Sequence, residues 1–69
     1  MVKGKIKKIA RDRGFGFIKA TDGREIFFHQ NSLLNAKFEE IAEDQNVEFE
    51  VKKSFKGLNA ININVVSQP

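Results

Sequence analysis

No cysteine occurs among the 69 residues. That excludes a disulfide framework and a thiolate metal site, and it fits a reducing compartment. The single histidine rules out a metal centre built from several imidazoles. No apolar run approaches the roughly 20 residues of a membrane span. No signal-peptide pattern opens the chain. The expectation is one soluble, cytoplasmic domain over residues 1–69, with no membrane partner. A glycine-rich phosphate loop ending in Lys-Ser/Thr is missing, and so is a cysteine nucleophile. Carboxylates are adjacent only in a polar stretch at Glu39 and Glu40 and at Glu43 and Asp44. The chain therefore reads as a non-enzyme with no cofactor, no metal and no small-molecule substrate. Tryptophan and tyrosine are also absent, so all aromatic character rests on seven phenylalanines.

What is present is unevenly distributed. Net charge is +3, and the basic residues Lys3, Lys5, Lys7, Lys8, Arg11, Arg13 and Lys19 lie early, opposed only by Asp12. Acid collects later, at Glu39, Glu40, Glu43, Asp44, Glu48 and Glu50. Such a polarity orients an approaching phosphate backbone toward the N-terminal half. Lys3 and Lys5 are read as solubilising, and the acidic residues of 39–44 as a solvated loop.

Alternation of apolar and polar residues marks strands. Val2, Gly4 and Ile6 alternate with lysines over residues 2–10, and the parity breaks at Lys8-Ile9, which predicts a bulge. A turn at residues 11–14 leads to a second strand, residues 15–19. Gly16 and Ile18 face inward there, Phe15 and Phe17 outward. Thr21-Asp22-Gly23 is a hairpin turn. The third strand covers residues 25–29, with Ile26 and Phe28 inward and Phe27 and His29 outward. Residues 30–45 read as irregular, with one helical turn over 31–34 capped by Asn31 or Ser32. Val47, Phe49 and Val51 mark a fourth strand and Ile61, Ile63 and Val65 a fifth, joined by a turn at residues 54–57. The predicted core is Val2, Ile6, Ile18, Ile26, Phe28, Leu33, Val47, Phe49, Val51, Ile61 and Ile63. Five short strands with one longer connection suggest a small closed barrel.

Arg13-Gly14-Phe15-Gly16-Phe17-Ile18 fits most of the RNP1 signature of nucleic-acid-binding proteins. Its rings are spaced for stacking by unpaired bases, and Arg13 can pair with a phosphate or stack. The two glycines are expected to keep the surface clear for bases. In RNA-recognition motifs a second aromatic segment precedes RNP1 and two helices are needed. Here Ile26-Phe27-Phe28-His29 follows it, and no helical periodicity is present.

This order resembles the bacterial cold-shock domain across nearly the whole chain, from Gly4-Lys5-Ile6-Lys7 to Ala60-Ile61-Asn62-Ile63. The resemblance implies an all-β, five-stranded antiparallel barrel of the OB type. It implies binding of single-stranded RNA or DNA, as an RNA chaperone or a regulator of transcription or translation; a closed barrel leaves monomer as the default expectation. By the same resemblance, Phe15, Phe17, Phe27, His29 and Phe38 match base-stacking positions. Lys7, Arg13 and Lys56 match basic or polar contacts. The sequence departs from the family at Lys8-Ile9-Ala10, where Trp-Phe-Asn is usual, at Gln30, where an aromatic is common, and at Leu58, which replaces a frequent proline. Asp44 stands where the family favours glycine. Each lost ring costs ~1–3 kcal/mol of stacking. Lys8 is expected to return part of this as a salt-dependent phosphate contact, Gln30 as a hydrogen bond to a base edge, and Phe55 as a replacement ring. The expectation is a weaker, more salt-sensitive binder than a typical member. The alternative is a protein-interaction or ribosome-associated barrel whose stacking surface has decayed.

Overall fold

A computed structural model of the chain describes residues 1–55 and 57–66. Five strands, β1 (Val2–Ala10), β2 (Phe15–Ala20), β3 (Glu25–His29), β4 (Asn46–Ser54) and β5 (Gly57–Val66), close a barrel in the order β1-β2-β3-β5-β4. Four of the pairings are antiparallel, as expected; β3 and β5 pair in parallel, through Phe27–Asn59 and Phe28–Ala60. The parallel pair is a consequence of number. Strand direction cannot alternate all the way round a ring with an odd count. Closure leaves no unpaired sheet edge within the ring, so the main-chain template for aggregation is removed.

The inward residues of the five strands meet in one core. Phe28, Phe49, Ile6, Ile18, Ile26 and Ile63 are fully buried, each worth about 1.5–3 kcal/mol by transfer of apolar area. Val2, Leu33 and Val51 pack against this core from its margins. Three differences from the sequence reading have physical causes. First, the β1 bulge falls at Lys7, since the register slips between Ile6 and Lys8. Second, β5 carries an irregularity that the sequence does not announce. The register shifts between Glu48 and Glu50, and opposite it Asn62 adopts φ 51°. The parity of β5 changes there, so Ala60 and Ile63 are buried while Ile61 is only half-buried. Third, Ile41 is a core residue at 1% exposure although it lies in the stretch read as polar.

That stretch holds two short 3₁₀ turns, Gln30–Ser32 and Phe38–Glu40. The first starts earlier than expected. Its cap is His29, whose Nδ1 accepts from the Asn31 N–H at 3.2 Å, in place of Asn31 or Ser32. Asp44 has φ 72°, and its N–H donates to the Ile6 carbonyl at 2.8 Å. A left-handed residue carrying a Cβ costs roughly 1–2 kcal/mol, which glycine avoids. Asp44→Gly is therefore expected to raise stability by about 1 kcal/mol in urea unfolding. An unchanged midpoint would show that the aspartate relieves its own strain.

Candidate nucleic-acid interface

Phe15, Phe17 and Phe27 gather on the outer surface of β2 and β3. The register sets Phe17 opposite Phe27 and Phe15 opposite His29, and residues directly opposite share a face. Ring centroids lie 5.4 Å apart for Phe15–Phe27, 5.9 Å for Phe17–Phe27 and 6.2 Å for Phe15–Phe17. The three rings shield one another and remain half-exposed. Their parity is opposite to that of the core, so the barrel does not need them for its interior. The result is a contiguous apolar patch with upturned ring edges and faces.

His29 is exposed at the end of this patch. Because its Nδ1 accepts the cap bond, the neutral ring carries its proton on Nε2. That leaves one N–H donor for a ligand. Lys8 is exposed and stands opposite Phe17, in the position the bulge at Lys7 gives it. The same cross-strand row continues past Phe27 to Asn59 and then to Lys52. Neither Asn59 nor Lys52 was indicated by the sequence, because their strands are remote from Phe27 in the chain.

Other expected contacts are placed differently. The Lys7 ammonium is held by the Glu25 carboxylate, and this hydrogen bond and charge lower the Glu25 pKa below its ordinary value. Arg13 is exposed and forms no ion pair among the described residues. Gln30 bends back over the turn, with its side-chain amide nitrogen 2.8 Å from where a Cβ on Gly14 would lie. Its main-chain N–H donates to the Gly14 carbonyl at 2.9 Å. Phe38 is half-buried and meets the core ring of Phe28 edge-on at 6.4 Å, so its ring packs the β3–β4 loop against the core. Phe55 is fully exposed in the β4–β5 turn and joins none of the ring contacts among the described residues. Lys56 lies outside the described residues.

The two glycines of the RNP1-like segment each meet a structural demand of the barrel. Gly14 has φ 77°, which the tight turn into β2 demands. Gly16 is buried, and a Cβ there would stand 2.5 Å from the Lys8 carbonyl oxygen and 2.7 Å from the Phe28 ring. The empty space at Gly16 is filled by Phe28.

Arg11 is a component that charge alone did not single out. Its Nη1 donates to the carbonyls of Phe38 and Glu39 at 3.3 and 3.4 Å, and its Nη2 to that of Ile41 at 2.6 Å. The guanidinium thus caps the second 3₁₀ turn and ties the β3–β4 loop to the β1–β2 turn. Buried Ile41 holds the same loop from inside.

The profile of the 'Cold-shock' DNA-binding domain matches residues 2–66. Cold shock-like protein CspC of Escherichia coli (strain K12) is 38% identical over 66 residues, 94% of this chain and 96% of that protein. Cold shock-like protein CspC of Buchnera aphidicola subsp. Acyrthosiphon pisum (strain APS) is 40% identical over 63 residues, 90% of this chain and 91% of that protein. Among solved structures, drosophila Unr CSD456 superposes with a TM-score of 0.78 at 29% identity, over 96% of this chain. This chain spans 26% of that longer one. With the barrel, the ring patch and these similarities together, the chain belongs to the cold-shock DNA-binding domain family.

Proposed function

We propose that this protein binds single-stranded RNA or DNA without catalysis, as a cytoplasmic monomer that keeps weakly paired strands open. The observation that carries the reading is the cluster of Phe15, Phe17 and Phe27, three half-exposed rings that the core does not use. Bases stack on such rings, while Lys8 and Arg13 draw phosphates to the patch margins. His29 adds a ring and a donor. Duplexes are disfavoured because paired bases already bury the faces that must stack. By mass action, a ligand that binds only the open strand shifts weak hairpins toward it. The decayed-surface alternative is not favoured, since the three rings remain clustered on the outer face despite the changes at Lys8, Ile9 and Gln30.

The test is fluorescence anisotropy of a labelled oligopyrimidine of about 7 nucleotides, within the site sizes of such barrels, against a duplex of equal length. An external label is required, because the chain has no tryptophan or tyrosine. Single-strand preference that survives added salt, and is lost in Phe15→Ala, supports stacking. Equal binding to both forms, erased by salt, would leave only lysine electrostatics and sink the reading.

Glu25 sets a pH dependence. Its folded pKa is lowered by Lys7, so the ion pair is present at neutral pH and is lost as pH falls through the folded value. Protonation frees the Lys7 ammonium for phosphate. Glu25→Gln is expected to do the same at neutral pH, steepening the salt dependence by about 0.7 in log K against log salt, one added contact to a single strand. An unchanged slope would mean that Lys7 makes no ligand contact.

A further inference from the structure

Beyond the ring patch, β1 and β2 carry a charge arrangement that folding does not reward. Lys5 stands directly opposite Lys19 in the antiparallel register, and both are exposed. Like charges in this position repel. Neither is relieved by an acid within 4 Å among the described residues. The residue opposite Lys19 on β3 is Glu25, whose carboxylate is bonded to Lys7 and is drawn to Lys19 only as a weaker, unbonded charge. The residue opposite Lys5 on β4 is Asn46, which is neutral.

These lysines rim a groove of about 630 Å³ that crosses β1 and β2. Lys3, Lys5, Lys7 and Lys19 line it, together with Asp44 and Glu48. Lys3 is already loosely paired with Glu48 at 4.0 Å. With Glu48 near Lys3 and Glu25 on Lys7, the groove lysines without an acid within 4 Å among the described residues are Lys5 and Lys19. The groove also adjoins the platform. Phe17 and Lys19 are two apart on β2 and so share its outer face, about 7 Å apart along the strand.

We propose that the Lys5–Lys19 pair is a phosphodiester-binding subsite, which holds the backbone of the same strand whose bases stack on Phe15, Phe17 and Phe27. The proposal rests on the single-strand-binding reading. It adds that the footprint extends past the rings and that the two lysines are placed together for a shared anion. An anion between the two ammonium groups turns their mutual repulsion into two attractions, which gives the juxtaposition its use.

The test compares the wild type with Lys5→Gln/Lys19→Gln on oligopyrimidines of about 4 and about 16 nucleotides, the range of sites on such barrels. A strand of about 4 nucleotides is largely used up by the three rings, whereas the longer one covers the rings and the groove together. For it, removal of two contacts is expected to flatten the slope of log K against log salt by about 1.4, so that over a tenfold rise in salt the variant loses about 25-fold less affinity than the wild type. The short strand, with fewer phosphates to place beyond the rings, should lose clearly less of its slope than the long one. The variant should melt close to the wild type, because the Lys5–Lys19 repulsion removed and the weaker Lys19–Glu25 attraction lost oppose each other. An unchanged slope on the long strand overturns the subsite. Equal loss on both lengths also overturns it, since a diffuse field would then be responsible. A lower melting temperature overturns the premise that the pair has no structural use. If the wild type binds neither strand, the ring-platform reading falls and the subsite with it.

Discussion

Phe27→Ala should weaken binding of a short oligopyrimidine by roughly 5- to 150-fold, the equivalent of ~1–3 kcal/mol for one stacked base. Phe27 is chosen because it contacts both other rings, at 5.4 and 5.9 Å. Truncation there removes one stacking face and the lateral support of two more. Stability should fall less, because Phe27 is half-exposed and points away from the core. Aromatic pairs contribute about 0.5–1.5 kcal/mol beyond area burial, so a modest drop in melting temperature is the expected accompaniment. Titration and thermal unfolding on the same sample separate the two effects. Binding within about twofold of wild type would remove the ring patch from the interface, since even the smallest stacking term exceeds that.

Gly16→Ala should produce the largest loss of stability, about 3 kcal/mol, at the upper end for overpacking. A methyl group at this position would meet the Lys8 carbonyl oxygen at 2.5 Å and the Phe28 ring at 2.7 Å. Neither neighbour can yield freely. The carbonyl belongs to the paired β1 backbone, and Phe28 is a fully buried ring in the centre of the core. For a domain of this size such a loss lowers the melting temperature by roughly 12–24 °C. Total stability for 69 residues is on the order of 3–10 kcal/mol, so the loss takes roughly a third to nearly all of it. Circular dichroism during a thermal scan reads the result directly. A shift of only about 2 °C would mean that the barrel opens around the methyl at little cost. Phe28→Leu combined with Gly16→Ala provides the complementary measurement. If the ring is the obstacle, the double variant should be less destabilised than the two single losses added together.

These two outcomes also separate the roles of a single hexapeptide. In Arg13-Gly14-Phe15-Gly16-Phe17-Ile18 the motif assigned the glycines to clearing the surface for bases, although strand parity already turned Gly16 and Ile18 inward. The barrel divides the segment by parity. Phe15 and Phe17 face outward, whereas Gly16 and Ile18 face inward and are buried. A signature of this kind is a strand with two faces under different demands, so its glycine can be essential without approaching a base.

The sequence by itself determined the five strands, the inward–outward assignment of all the phenylalanines on β2, β3 and β4, and the outward placement of His29. The physical reason is local: a strand alternates its side chains with a period of two, so parity can be read within five residues. The parallel pairing of β3 with β5 was not part of that reading, which expected antiparallel strands throughout; it appears once five strands close a ring. Tertiary structure alone decided what depends on register and on contacts between remote segments. The bulge at Lys7 chooses which β1 residue stands beside Phe17, and the irregularity at Asn62 exchanges Ile61 for Ala60 in the core. The engagement of Lys7 by Glu25, the cap that Arg11 places on the β3–β4 loop, and the confrontation of Lys5 with Lys19 join residues far apart in the chain. Periodicity within one strand carries no information about its neighbour's register, so these features emerge only when the barrel closes.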